Sequence, residues 1–108
     1  MNKTFNELIN GKIPVLVDFS AEWCGPCKMM VPVLEQLKKK MNNKISILKI
    51  DVDRNRELAI KYNIRNVPSL FLFQEGRICW NGVGVSTSDY LENVIYNNCT
   101  IPARQEVL

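Results

Sequence analysis

The 108-residue chain is 46% hydrophobic and 23% charged with a net charge of +3, which fits one domain with a modest core. That charge is too weak to argue for nucleic acid, and no apolar run approaches the ~20 residues that span a bilayer. Met1-Asn2-Lys3-Thr4-Phe5-Asn6 lacks the apolar segment of an export signal, so a cytoplasmic protein is expected.

The elements follow in chain order. Thr4 to Asn10 reads as a short helix, with Thr4 as cap, Phe5, Leu8 and Ile9 on one side, and Gly11 ending it. Ile13 to Ser20 is β-branched and apolar on both faces, as a central buried strand is; its one acid, Asp18, is the anomaly. A helix is expected from Pro26, which suits a first turn because its missing N–H is not needed there. Met30, Leu34, Leu37 and Met41 recur at helical spacing. Pro32 lies inside this helix and predicts a kink at about 3 kcal/mol. Lys38-Lys39-Lys40 is its cationic end, complementing the macrodipole.

Asn42-Asn43 is a turn, and Ile45 to Asp51 the next strand. Asp53 is expected to cap a helix through Tyr62, with Leu58, Ala59 and Tyr62 inward. Ser69 to Phe73 and Arg77 to Asn81 form a hairpin around Glu75-Gly76. Thr87 caps a last helix with Tyr90, Leu91, Val94 and Ile95 as its apolar positions. The tail from Thr100 to Leu108 has no period and is expected to be flexible at its end, the whole chain 1–108 being one domain. A strand–helix–strand unit requires a parallel pair and the hairpin adds an antiparallel one. The expected fold is therefore α/β with a central mixed sheet covered by helices on both faces.

Between the first strand and the long helix stands Trp23-Cys24-Gly25-Pro26-Cys27. Two cysteines at this spacing, with a strand before and a helix after, mark a thiol–disulfide exchange site. Only a thiolate attacks a disulfide, and Cys24 precedes a helix N-terminus, whose free N–H groups and dipole favour a negative sulfur. Cys24 is thus the expected nucleophile, exposed to a partner. Cys27, one turn in, is the more buried resolving thiol, favoured in its attack by proximity. Asp18 is the expected proton acceptor for Cys27, because burial raises a carboxyl toward the working pH range. Lys49 on the neighbouring strand is placed to pair with it. Cys79 reads as a small buried hydrophobe in its strand and Cys99 as a more exposed thiol, a candidate for regulation or dimerisation. A zinc site from the four cysteines lacks a second compact knuckle, so no metal and no bound cofactor are expected.

The segment from Asp18 to Met29, together with Val67-Pro68-Ser69 downstream, resembles the active-site signature and cis-proline loop of the thioredoxin family. Pro32, Lys49, Gly76 and Gly84 also stand where that family's pattern has such residues, and the match runs from about Lys12 to Val94. The resemblance implies a three-layer α/β/α sandwich. It implies a cis Val67–Pro68 bond and a substrate platform of Trp23, Gly25, Pro26, Val67, Pro68, Gly84 and Val85, the Val67 backbone pairing with an extended peptide. It further implies a monomeric protein-disulfide reductase, acting on disulfide-containing proteins and reset by a thioredoxin reductase that draws on NADPH.

Two departures bear on the fold. The chain begins almost at its first helix, so the family's N-terminal edge strand is expected to be missing or shortened and the sheet to have four strands. Ser20 replaces an aromatic residue that many members carry, which predicts looser packing beside the cysteines. Two rivals remain at this level: a thiol oxidase or isomerase, against which Gly25-Pro26 speaks, and a binding module in which the thiols are incidental.

Overall fold

The computed structural model describes residues 4–101. Its elements are α1 (Phe5–Ile9), β1 (Val15–Ser20), α2 (Gly25–Met41), a single 3₁₀ turn (Asn42–Lys44), β2 (Ser46–Asp51), α3 (Arg56–Lys61), β3 (Ser69–Gln74), β4 (Arg77–Val83) and α4 (Ser88–Asn98). The expected tail over 102–108 lies outside the described residues. Thr100 and Ile101 are described and held: Gln74 donates to Thr100 O at 2.8 Å, the Thr100 N–H returns to Gln74 at 2.9 Å, and Ile101 packs on the core.

Each boundary has a local cause. Thr4 caps α1 through its hydroxyl, and Thr87 caps α4 in the same way. β1 starts at Val15, two residues later than expected, because Pro14 has no N–H for a ladder. α2 runs as one element through Pro32, which sits on its exposed side. α3 corrects the expectation for Asp53: it starts at Arg56 with Asn55 as N-cap. At the hairpin tip Glu75 and Gly76 both have positive φ, 52° and 80°, the geometry of a two-residue turn whose twist matches its strands. Asn10 fills the space where Gly76 lacks a Cβ, and the Gly76 N–H donates to Ile9 O, seating the hairpin on the end of α1.

The sheet has four strands in the order β2-β1-β3-β4, with β1 and β2 parallel and the other pairs antiparallel. This is the mixed, four-stranded sheet expected. Alternation along β1 splits the core in two. Leu16 joins Leu70 and Leu72 under α2 and α4, against Met30, Leu37 and Ile95. Val15, Val17 and Phe19 face α1 and α3, where Phe5, Tyr62, Phe71 and Phe73 pack with ring centroids 5.5–6.2 Å apart. Tyr90 corrects another expectation: it is 53% exposed and lies edge-on to Trp80 rather than in the core.

The energetic weight of the molecule lies in these two layers. Leu37→Ala, at a fully buried position, should lose about 3 kcal/mol in urea unfolding. Ile60→Ala, 79% exposed on α3, should change stability by less than about 0.5 kcal/mol.

Candidate active site

β1 ends at Ser20, the chain turns with the Cys24 N–H donating to Ala21 O at 3.3 Å, and α2 begins at Gly25. Cys24 is therefore the N-cap of α2, a place where an acceptor side chain is wanted. Its sulfur meets that need by accepting the Cys27 N–H at 3.1 Å. Pro26 in the first turn leaves no competing donor. Cys24 and Cys27 form a disulfide with Cα atoms 5.3 Å apart.

Burial does not separate the two sulfurs as the sequence reading expected. Cys24 is 4% exposed and Cys27 2%, and both pack with Ala21 against Val52 and Val67. What differs is their surroundings. Cys24 Sγ lies 3.6 Å from Val67 O, beside a rim on which Trp23, Gly25 and Pro26 are exposed. Cys27 instead lines a cleft of about 440 Å³ with Ser20, Lys28, Lys49 and Asp51. Ser20 is buried there, and an aromatic ring in its place would fill much of that space.

The rim is built from distant segments. Trp23, 72% exposed, donates its indole N–H to Asp53 at 2.9 Å, which is the contact Asp53 makes in place of capping a helix. The Val67–Pro68 bond is cis, and the Gly84 N–H donates to Pro68 O at 2.9 Å. Gly84 has φ +93°, a conformation that favours glycine. Val85 follows it as an exposed residue. The fold thus brings Trp23, Cys24, Val67, Pro68 and Gly84 to one end of the sheet. Asp53 was not anticipated as part of this end; no signal in the sequence links positions 30 residues apart.

Asp18 shares the Leu16 face of β1, the face that α2 covers, and is 1% exposed. Its Oδ1 has no hydrogen-bond partner among the described residues. Burial lifts its carboxyl to about 6, opposed by the charge of Lys49, its register partner on the parallel strand β2. Lys49 is exposed and lines the cleft beside Cys27 as well as a second cleft containing Asp18, Leu34 and Glu35. Lys38, the other cation of that second cleft, is occupied by Asn42 O and Ile45 O at 2.9 and 2.8 Å. Among the described residues no group of three or more His, Cys, Asp or Glu could hold a metal ion.

Residues 1–97 match the family described as Thioredoxin. The chain is 40% identical over 98 residues to a thioredoxin of Rickettsia bellii, covering 90% of this chain and 93% of that one. It is 44% identical over 81 residues to a thioredoxin of Bacillus subtilis, covering 75% and 78%. A mutant thioredoxin from Halobacterium salinarum is similar in structure with a TM-score of 0.79 at 37% identity, covering 91% of this chain and 85% of that one.

A carboxyl raised from 3.8 to about 6 by folding keeps its proton more readily in the folded than in the unfolded chain. Its effect on stability is small below pH 4, grows unfavourable between about pH 4 and 6, and levels off above that at about 3 kcal/mol. Asp18→Asn should therefore be more stable than the parent protein at pH 8 by up to that amount, and close to it at pH 4. Urea unfolding of both proteins at the two pH values measures the difference.

Proposed function

Because the chain belongs to the thioredoxin family and is a thiol–disulfide oxidoreductase that reduces protein disulfides, we propose that Cys24 is its attacking sulfur, Cys27 its resolving sulfur and Asp18 the acceptor of the Cys27 proton. The observation that carries this order is the Cys27 N–H directed at Cys24 Sγ at the head of α2. A donor aimed at that sulfur favours its thiolate.

The reaction is a transfer of two electrons in two displacements. The Cys24 thiolate attacks one sulfur of a substrate disulfide. A bond forms between Cys24 and that sulfur, and the other substrate sulfur leaves as a thiolate and takes up a proton. Cys27 then gives its proton to the Asp18 carboxylate and attacks Cys24 Sγ. The second substrate sulfur leaves, and the Cys24–Cys27 disulfide remains. The substrate is reduced by two electrons and the protein oxidised by two.

Asp18 suits this task because its Oδ1 has no other hydrogen-bond donor among the described residues and its carboxyl titrates near 6, close to the pH at which a base must both accept and release a proton. Lys49 supports it as the cation beside both clefts, limiting how far burial raises the carboxyl. The substrate lies as an extended peptide across Trp23, Gly25 and Pro26, with the Val67 backbone and Pro68 beneath it and Gly84 and Val85 at the far side. Such a surface reads backbone more than side chains, which suits a reductant of many proteins.

The wider setting belongs to the same reading. The disulfide is returned to the dithiol by a thioredoxin reductase drawing on NADPH, and the protein works as a monomer in the cytoplasm. Among the described residues no helix is long and apolar enough to cross a membrane.

Two variants test the assignment. Cys27→Ser should accumulate substrate proteins covalently bound through Cys24, seen as adducts by mass spectrometry; adducts on position 27 of a Cys24→Ser variant alone would reverse the order of attack. Asp18→Asn should slow the resolving step on the order of 10²-fold and remove the rise in its rate with pH through about 6 that the Asp18 titration gives the parent. Equal single-turnover rates for the two proteins at neutral pH would take Asp18 out of the mechanism.

A further inference from the structure

The two cysteines outside the signature are brought together by an irregularity in the sheet. β3 and β4 pair Leu72 with Trp80 but Phe73 with Ile78, so Cys79 is the extra residue of a β-bulge. Strict alternation would send Cys79 and Trp80 to opposite faces. With the bulge, both pack against the core under α2 and α4.

Cys99 arrives at the same place from the other side. It is the C-cap of α4, its N–H on Ile95 O at 2.9 Å, and it packs on the same core. The Cys79 sulfur is the neighbour of the Cys99 thiol, and the Cys79 thiol donates to Arg77 O at 3.7 Å. Both residues are half-buried, which corrects the buried Cys79 and the more exposed Cys99 expected. The exchange of hydrogen bonds between Gln74 and Thr100 fixes the segment after Cys99 to the end of β3, the strand paired with the one that carries Cys79.

We propose that Cys79 and Cys99 form a second dithiol–disulfide site, oxidised to an intramolecular disulfide by small-molecule disulfides of the glutathione class. Half-burial leaves the pair within reach of a small reagent. The Cys79 sulfur, deprotonated, attacks one sulfur of the small disulfide; a mixed disulfide forms on Cys79, and one small thiolate leaves and is protonated. Cys99 then loses its proton and attacks Cys79 Sγ, releasing the second small thiol. Two protein thiols are oxidised and one small disulfide is reduced to two thiols.

The order follows from the surroundings of Cys99. Burial, with the adjacent Cys79 sulfur adding to it, pushes its thiol up to about 12, so it holds its proton and acts second. The bond ties the C-cap of α4 to β4. It is chemically independent of the Cys24–Cys27 pair and of the roles proposed there.

The test uses the full chain with Cys24→Ser and Cys27→Ser, leaving these two thiols alone. After incubation with oxidised glutathione, alkylation and intact-mass measurement should show both thiols lost together in a monomer lighter by two hydrogen atoms, restored by a dithiol reductant. Adding Cys99→Ser should stop the reaction at a glutathione adduct on Cys79. Digestion of the oxidised parent chain should yield the peptides of Cys79 and Cys99 joined within one molecule. Full alkylation of both thiols after incubation, cross-links only between two copies, or an adduct confined to Cys99 would each overturn the proposal.

Discussion

A sulfur atom caps the long helix, and the rest of the site is arranged around that fact. Helix N-termini usually take an oxygen acceptor from Ser, Thr, Asp or Asn; α2 takes Cys24 Sγ. The same N–H that stabilises the start of the helix is then the group that favours a charged sulfur, so folding α2 also prepares Cys24 for the attacking role proposed for it. The length of α2 matters to this. Its apolar row, Met30, Leu34, Leu37 and Met41, is buried against the sheet, and that burial fixes the helix end to which Cys24 is attached.

The same face of the sheet carries a group that opposes folding. Asp18 stands in a row that otherwise holds Leu16 and the buried Ser20, with an oxygen that has no hydrogen-bond partner among the described residues. A carboxylate there destabilises the fold, and Lys49 only partly offsets it. Groups of this kind gather at functional sites because a perturbed titration is what acid–base chemistry requires. The cleft beside Cys27, open where Ser20 is small, lies on the same side of the sheet and shares Lys49 with the cleft that holds Asp18. Stability is given up at the position proposed for proton transfer, and the two packed layers supply the margin.

Much of this was legible in the residues. The strand–helix–strand unit followed from two apolar runs and a helical period between them, and Asp18 stood out as one acid in an apolar strand. The Cys24–Cys27 spacing and the Glu75-Gly76 turn are local, so a local reading found them. Apart from the start of β1, set locally by Pro14, the misreadings depend on long-range register. Asp53 looked like a helix cap because its partner, the Trp23 indole, is 30 residues away. Tyr90 fell on the apolar period of α4, but its ring lies against Trp80 at the surface. Cys79 and Cys99 looked unrelated because only the bulge between Leu72 and Phe73 turns Cys79 toward α4. The near-equal burial of Cys24 and Cys27 depends on Val67 folding over the pair, which helix position alone does not foretell.

The central claim is that the Cys24–Cys27 pair gives electrons to other disulfides, and its equilibrium with glutathione tests that most directly. The pair would be titrated across ratios of reduced to oxidised glutathione, in a protein with Cys79 and Cys99 replaced by Ser. A reductant predicts a midpoint clearly more reducing than that of glutathione, so that the Cys24–Cys27 disulfide persists even where reduced glutathione dominates. A midpoint on the oxidising side, with the dithiol prevailing in mildly oxidising mixtures, would contradict the account and make this protein a source of disulfides.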